Sequence, residues 1–369
     1  MIIYGKKTNN GKWPFLLVTL ILTMIGLIFI YSSSSVFALE HYGQASYFVH
    51  KQLWGLLLGI IGFLIAFLMP TKLICALSPL IYLTTLGLTT LTLFSQFSLR
   101  VNGSSRWLKL GGIGLQPSEF LKLAFIIYIA YLLVQKKYQR RSFWGSFVPL
   151  VLIFCSTALV LLKQPDFGLT VVLSLTLFAL LLIARLNGGY LLACMGAFVP
   201  AAGMLIWFKP YRLKRILTFL NPWSDPQGAG FQIIQSLIAV GSGGIWGVGI
   251  SHSKQKFFYL PMQHTDFIFA IIAEEVGFVG CTTIVLLYAL WLYFGIRLAW
   301  DMQNDFETFV TLGFVILVSM QAVINLCVVT GLFPTKGVGL PFVSYGCSGL
   351  VANLTMIGMI FRFTYNREA

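Results

Sequence analysis

Charge is what this sequence has least of. Only 10% of its 369 residues are charged and only 11 are acidic, whereas 58% are hydrophobic. Soluble domains carry roughly 25% charged residues, so the composition excludes an ordinary soluble protein. No long polar block interrupts the apolar runs, and residues 1–369 are therefore predicted to form a single integral-membrane domain.

Several motifs are also missing. The chain has no Walker phosphate-binding loop, dinucleotide-binding fingerprint or GxSxG motif, so ATP-driven transport has no support. The six cysteines show no CxxC spacing and are predicted to be small core residues. No His, Cys or acid accompanies His264 at zinc-ligand spacing, and no metal site is predicted.

The net charge of +14 does not indicate nucleic acid, because the basic residues cluster between apolar runs, as membrane topology requires. A helix needs about 20 apolar residues to cross a bilayer. The sequence predicts an all-α polytopic membrane protein with about ten such helices, at 14–33, 51–70, 73–95, 117–135, 145–163, 168–186, 190–208, 266–296, 307–331 and 348–363.

The basic tail 1–13 and the run KKYQRR (136–141) place both termini in the cytoplasm, because short cytoplasmic loops carry an excess of Lys and Arg. The outer face then holds a large loop, 209–265, between the seventh and eighth helices. A loop of this length is usually functional or disordered, and its many aromatic and apolar residues argue against disorder.

Acidic residues inside apolar segments are the main functional candidates. In PMQHTDFIFAIIAEE (261–275), Asp266 lies at a predicted helix start, where a carboxylate interacts favourably with the helix dipole. Glu274 and Glu275 follow at mid-membrane depth, where each charge costs roughly 2.5–3.5 kcal/mol. They are therefore expected to pair with cations between helices or to line a wet cavity.

Two other motifs contain acids. In QPSEFLK (116–122), Glu119 and Lys122 are three residues apart and share one helix face. They form either a self-contained ion pair or a support for a neighbouring catalytic group. In QPDFG (164–168), Asp166 lies at a predicted helix-to-helix turn, where a turn-forming role is the simplest interpretation.

Basic residues occur in three separate outer segments, at Arg106, at Arg212 and Arg215, and at Lys336. Each alone is compatible with binding anionic lipid headgroups. If the loops meet, they form a site for a polyanion, because guanidinium groups match phosphate oxygens. These features fit a lipid-phosphate transferase, an anionic-lipid transporter or a scaffold, and composition does not separate the three.

The order of the motifs resembles the SEDS family of bacterial shape, elongation, division and sporulation proteins. The matching segments are NGSSRW (102–107), QPSEFLK (116–122), QPDFG (164–168), NPWSDPQGAGFQIIQSLIAVGSGG (221–244), YLPMQHTDFIFAIIAEEVGFVG (259–280) and TGLFPTKGVGLPFVSYG (330–346). NPWSDPQGAGFQ and PTKG (334–337) are more similar to the division members than to the elongation members. Met262-Gln263 stand where the family commonly has an acid and Ala, and Cys347 and Gly349 depart from its SYGGSS.

The resemblance implies a peptidoglycan glycosyltransferase that polymerises lipid II at the outer face of the bacterial cytoplasmic membrane, at the division septum. It implies Asp266 as the essential acid, which we expect to act as general base. The implied partners are a class B penicillin-binding protein, which is a transpeptidase, and other divisome membrane proteins. A lipid II flippase and a noncatalytic division scaffold are the alternatives.

The remaining candidates take roles within that expectation. Lipid II and the undecaprenyl-pyrophosphate-linked glycan are expected to bind with or without a divalent cation, Mg²⁺ or Mn²⁺. The predicted substrate-binding residues are Arg106, Arg212, Arg215, Lys336, His264 and Ser344. The predicted supporting residues are Glu119, Lys122, Asp166, Glu274 and Glu275.

Overall fold

The computed structural model describes residues 11–365 except 95, 97, 102–103, 111–112, 136–146, 187, 190–195, 197–202, 204–209, 258–259 and 336. Its helices are α1 (Lys12–Tyr42), α2 (Tyr47–Leu68), α3 (Thr71–Leu91), α4 (Pro117–Gln135), α5 (Val148–Lys163), α6 (Phe167–Ile183), α7 (Pro210–Leu220), α8 (Phe231–Ser242), α9 (Ile268–Trp300), α10 (Asp305–Val329) and α11 (Cys347–Tyr365).

Apolar helices confirm the predicted multi-pass membrane architecture. Within the described residues, α1–α4 and α9–α11 are long and apolar enough to cross a bilayer, and α5, α6 and α8 are shorter apolar helices. The exact number of ten spans is not established, because the predicted span 190–208 falls almost entirely outside the described residues. Helices α4, α10 and α11 form the centre of the bundle, whereas most of α2 and α3 is left to face lipid.

A small antiparallel sheet is an element that the sequence analysis missed. It consists of β1 (Ser98–Val101), β2 (Ser104–Leu110) and β3 (Ile113–Leu115), in that spatial order. The dipeptides between the strands are Asn-Gly and Gly-Gly, which favour tight hairpin turns. The sheet precedes α4 and carries Arg106 on its central strand.

The long loop 209–265 is largely structured. It contains α7, a 3₁₀ turn at Pro222–Ser224, and α8. Ser236 of α8 donates a hydrogen bond of 2.7 Å to the Val329 carbonyl at the end of α10. The predicted order of this loop therefore comes from packing against the helix bundle.

Helix α9 is interrupted at Gly277, whose φ of 64° and ψ of −162° are not helical. The glycine-dense segment 243–249 pairs with the break, since Val248 N donates to Glu274 O at 3.0 Å and Phe278 N to Gly244 O at 2.9 Å. Backbone groups freed inside a membrane need such partners. A Cβ at Gly277 would lie 2.3 Å from Gly247 N, so the close approach requires glycine.

The described chain begins and ends at one face of the bundle. Near the start of α1, Trp13 packs edge-on against Phe361 of α11, with ring centroids 6.5 Å apart. Phe306, at the start of α10, packs similarly against Phe363. The starts of α4, α6, α9 and α11 lie at the opposite face, and the motifs of the sequence analysis meet there.

Candidate active site

Asp266 lies two residues before α9 and is held through its own backbone. Its carbonyl accepts a hydrogen bond of 2.8 Å from Nδ2 of Asn325, which is buried in α10. The same nitrogen donates to the Val338 carbonyl at 2.7 Å. One carboxamide therefore ties the predicted base to the loop between α10 and α11.

That loop also binds the two residues before Asp266. The Ser344 hydroxyl donates to the Thr265 carbonyl at 2.6 Å and accepts from Leu340 N at 2.7 Å. Tyr345 N donates to the His264 carbonyl at 3.0 Å. Three consecutive carbonyls, 264–266, are thus occupied. Ser344 acts as a brace in this structure, and its contact with a substrate stays a prediction.

Arg106 is fixed on the QPDFG turn. Its Nη2 donates to the Pro165 carbonyl at 2.6 Å and its Nε to the Gln164 carbonyl at 3.4 Å. Its Nη1 lies 3.8 Å from Oδ2 of Asp166. The other carboxylate oxygen of Asp166 accepts from Leu169 N at 3.2 Å and caps α6. Asp166 therefore forms the turn, as predicted, and also orients an arginine.

Gln164 is a residue that sequence reasoning did not select. Its side chain is fully buried, and its Nε2 donates to the Thr89 carbonyl at 2.8 Å and to the Thr92 hydroxyl. This contact attaches the QPDFG turn to the end of α3. The carbonyls that hold Arg106 therefore belong to an anchored turn.

Gly337 lies against both Asp266 and Arg106. A Cβ built on it would be 3.4 Å from Oδ2 of Asp266 and 3.5 Å from Nη1 of Arg106. Arg215 reaches the same loop from α7, where its Nη1 donates to the Thr335 carbonyl at 3.0 Å. Of the predicted cations, Arg106 and Arg215 are thus brought to the loop beside Asp266. Lys336 and the side chain of Arg212 lie outside the described part of the structure.

The surroundings of Asp266 make it a weak acid. Its side chain keeps partial access to solvent, but burial raises its pKa from 3.8 to about 6. Arg106 lowers the pKa, Asp166 raises it, and Arg215 lowers it by a smaller amount. A carboxyl with this pKa is mostly deprotonated at pH 7 and close to the optimum for accepting a proton.

His264 lies in a ring of aromatic side chains. Its ring centroid is 4.4 Å from that of Phe48, 5.7 Å from Tyr345 and 5.9 Å from Phe37. Burial lowers the pKa of His264 to about 4. The imidazole is therefore neutral at pH 7, so any bond to substrate would not be an ionic one, and the predicted substrate contact stays a prediction.

The ion pair predicted from the spacing of Glu119 and Lys122 is present below the site. Nζ of the fully buried Lys122 lies 2.6 Å from Oε2 of Glu119 and 3.2 Å from Oε1 of Gln321. Nε2 of Gln321 in turn donates to the Gly339 carbonyl at 3.4 Å. The pair links α4 to α10 and, through Gln321, to the loop that contacts Asp266.

Glu274 and Glu275 do not pair with cations among the described residues. The Ser32 hydroxyl lies 2.6 and 2.7 Å from the two oxygens of Glu275. Glu274 accepts bonds from the Ser253 hydroxyl and from Lys254 N at 2.9 Å. The expected ion pairs are replaced by hydrogen bonds, which join α9 to α1 and to the loop before His264.

Within the described ranges, no group of three His, Cys, Asp or Glu residues could hold a metal ion.

The missed residues Asn325 and Gln321 had one available signal. They are carboxamides four residues apart in an apolar helix, where polar groups are expensive and face the protein interior.

The fold and this site define a multi-pass membrane protein with a half-buried acid and arginines at one face. The chain belongs to the FtsW, RodA and SpoVE family of cell cycle proteins, whose family model matches residues 12–369. This finding confirms the family resemblance.

Curated relatives align along nearly the whole chain. Stage V sporulation protein E of Bacillus subtilis is 40% identical over 366 residues, covering 98% of this chain and 99% of the relative. A probable peptidoglycan glycosyltransferase FtsW of Trichlorobacter lovleyi is 39% identical over 349 residues, covering 95% and 92%. Relatives named for division and for sporulation are thus about equally similar.

Solved structures share the fold. A chain of a peptidoglycan synthase complex, described as coordinating polymerization and crosslinking, matches with a TM-score of 0.80 and 27% identity, covering 100% of this chain and 99% of that chain. The rod-shape-determining protein RodA of Thermus thermophilus matches with a TM-score of 0.71 and 24% identity, covering 97% of both chains.

Proposed function

We infer that this chain is a peptidoglycan glycosyltransferase that polymerises lipid II into β-1,4-linked glycan. The observation that carries the inference is the proximity of a half-buried carboxylate with a raised pKa, Asp266, to a fixed guanidinium, Arg106, since a single Cβ built on Gly337 would meet both groups. Relatives that align with nearly the whole chain carry the name of this activity.

In the proposed reaction, lipid II is the acceptor and the growing glycan on undecaprenyl pyrophosphate is the donor. Asp266 takes the proton from the 4-hydroxyl of the acceptor GlcNAc as that oxygen attacks the donor's anomeric carbon. The bond from this carbon to the pyrophosphate oxygen breaks, and the electron pair leaves with the pyrophosphate. Displacement inverts the α-linked donor to a β-linked product, and general-base catalysis contributes typically about 10²–10⁴-fold.

The departing pyrophosphate gains negative charge, and cations held in advance lower the barrier to its departure. Arg106 and Arg215 are the cations that lie with Asp266, and Arg212 and Lys336 complete the proposed set. No step of this proposal passes through a metal ion, and a Mg²⁺ or Mn²⁺ ion that accompanied the substrate would be held chiefly by its pyrophosphate oxygens.

The proposal places the site at the outer face of the cytoplasmic membrane, with both ends of the chain on the cytoplasmic side. Contacts near Trp13 and Phe361 support a common side for the two ends, opposite the site. A class B penicillin-binding protein is the proposed partner, because a related chain occurs in a peptidoglycan synthase complex. Similarity to FtsW relatives supports a proposed role at the septum, with other divisome membrane proteins, and similarity to stage V sporulation protein E supports a proposed role in sporulation.

The test is a polymerisation assay. The protein is purified with its partner, given labelled lipid II, and compared with Asp266→Asn on a glycan-length gel. Asp225→Asn is a matched control, because Asp225 is a partly exposed aspartate whose ion pair is with Lys214 of α7 rather than with the arginines beside Asp266. We expect long glycan from wild type and the control and none from Asp266→Asn; undiminished polymer from that variant would contradict the role of Asp266.

A vesicle assay separates polymerisation from the alternative of flipping. Lipid II is placed in one leaflet only, and its arrival in the other leaflet is followed. Translocation without any polymer would identify a transporter. Rescue of a depleted strain by Asp266→Asn would instead identify a noncatalytic scaffold.

A further inference from the structure

We propose that Asn325 is a positioning residue for glycosyl transfer, because its carboxamide holds Asp266 and the 337–340 segment together and so sets the gap between the carboxylate and Arg106. This inference rests on the proposed function. Asn325 lies near the end of the membrane-spanning helix α10, four residues before Val329 and 59 residues from Asp266 in sequence. It does not itself touch the reacting groups.

The direction of the Asn325 amide follows from its partners. Nδ2 lies 2.8 Å from the Asp266 carbonyl and 2.7 Å from the Val338 carbonyl. Both partners are acceptors, so only the NH₂ end of the amide can face them, and both of its protons are used. The side chain is therefore locked in one orientation between two segments of the site.

The amide of Asn325 lowers the stability of the folded protein, because one of its polar atoms is buried without a bond in the described structure. Asn325 is 1% exposed, and its buried Oδ1 has no hydrogen-bond partner among the described residues. An unsatisfied buried acceptor costs roughly 1–3 kcal/mol, which an apolar side chain of the same size would avoid. What the amide gains in return is the bridge between Asp266 and Val338.

That bridge reaches both sides of the acid–arginine gap. On one side, the carbonyl that it holds belongs to Asp266 itself. On the other side, Val338 follows Gly337, where an added Cβ would lie 3.4 Å from Oδ2 of Asp266 and 3.5 Å from Nη1 of Arg106. A displacement of about 1 Å at a reacting group can cost about 10²-fold in rate, so loosening this bridge is expected to slow the transfer itself.

Neighbouring braces do not replace Asn325. Gln321, one turn away on the same face of α10, donates to Gly339 at the longer distance of 3.4 Å. Ser344 holds Thr265 rather than Asp266. Among the described residues, the Asn325 side chain is the one that bonds both to the Asp266 backbone and to the loop after α10.

The test replaces Asn325 with leucine, which has a similar size and no donor. Asn353→Leu is the matched control, because Asn353 is 3% exposed in α11 and undergoes the same chemical change. With the intact complex and labelled lipid II, Asn325→Leu is expected to lower kcat by about 10²-fold. KM for lipid II should stay within about twofold, because Arg106, which is proposed to bind pyrophosphate, is held by the carbonyls of Gln164 and Pro165 and not by Asn325.

The pH profile separates positioning from structural support. The charged groups that act on Asp266 among the described residues are Arg106, Asp166 and Arg215. A released carboxylate moves toward water or toward Arg106, and both changes lower its pKa. The acidic limb of kcat is therefore expected at lower pH in Asn325→Leu and at the wild-type position in Asn353→Leu.

Two results would overturn the inference: an unchanged kcat in Asn325→Leu, or a loss matched by Asn353→Leu with the acidic limb unmoved. If Asn325→Leu fails to fold, Asn325→Ser, which keeps one donor, should show a smaller loss of the same kind. The Asp266→Asn assay tests the proposed function separately. If that variant is inactive while Asn325→Leu matches wild type, only the positioning role fails.

Discussion

Acidification through pH 6 is expected to stop glycan polymerisation by protonating Asp266. Burial raises the pKa of this carboxyl from 3.8 to about 6, and only the deprotonated form accepts a proton. A single titration at about 6 leaves roughly nine-tenths of the base available at pH 7, half at pH 6 and about one-tenth at pH 5. An aspartate with the ordinary pKa would keep more than about nine-tenths at pH 5.

Arg106 makes the prediction specific to this site. Its positive charge lowers the pKa of Asp266, so Arg106→Gln is expected to move the acidic midpoint above that of wild type. The rate at high pH should fall as well, because the departing pyrophosphate loses a cation. Arg297→Gln provides the same loss of charge at an exposed position near the far end of α9 and should keep the wild-type midpoint.

The assay measures initial rates of lipid II polymerisation by the intact complex between about pH 4.5 and 8 at saturating substrate. Inhibition that reverses on return to pH 7 separates titration from unfolding. A wild-type midpoint near 4, or the same midpoint in wild type and Arg106→Gln, would refute the assignment of the limb to Asp266.

Three further predictions concern stability. Asp266→Asn is expected to raise Tm at pH 7, because the ionised carboxyl costs up to about 3 kcal/mol in the folded state above its raised pKa. A thermal scan below about pH 3, where the wild-type carboxyl is largely protonated in both the folded and the unfolded state, should show little gain. Lys122→Met leaves Glu119 without its cation and should destabilise the protein by roughly 3–5 kcal/mol, and adding Glu119→Gln should recover most of the loss in Tm. Gly277→Ala should prevent folding, because its Cβ would lie 2.3 Å from a backbone nitrogen. The folded peak in size-exclusion chromatography of detergent-extracted membranes should then be lost. Gly87→Ala, at a position with open space around it, should keep that peak.

The membrane-spanning helices could largely be predicted, because length and hydrophobicity alone decide whether a segment crosses a bilayer. The fourth predicted span, 117–135, has the bounds of α4. The first was too short, since α1 continues beyond residue 33 to Tyr42 through a run of serines. Ser34 donates to the Ile30 carbonyl at 2.6 Å, so hydroxyls that look polar in the sequence are satisfied within the helix.

The sheet could not be predicted from hydrophobicity, because its three short strands contain no long apolar run. Their turn dipeptides were the available signal. The strand β2 is part of the proposed site, since it carries Arg106 to the QPDFG turn. The all-α interpretation therefore identified Arg106 but not the strand β2 that positions it.

The site was predictable where a charged group marks a motif. Asp266, Arg106, Asp166 and Arg215 were selected from the sequence, and the structure brings them to one face. Asn325 was missed because its partners are distant in sequence, and its one local signal, a carboxamide four residues from Gln321 in an apolar helix, does not show what the amide binds.

Glu274 and Glu275 show the converse error. Their cost in the membrane was correctly recognised, but the expected cations are not what satisfies them within the described residues. Ser32 and the backbone around Lys254 supply hydrogen bonds instead. Backbone donors leave no trace in composition, so no sequence pattern could have named this solution.

A base at a membrane face must be buried enough for its pKa to rise and open enough to receive a sugar hydroxyl. Fixing the carboxylate itself with hydrogen bonds would satisfy neither demand, because bonds to the charged form lower the pKa and occupy the oxygens. This protein instead fixes the backbone behind Asp266, the proposed base, through the carbonyls of His264, Thr265 and Asp266. Placement is thereby separated from proton affinity, and this separation is why loss of a bridge such as Asn325 should change the rate of transfer more than the binding of lipid II.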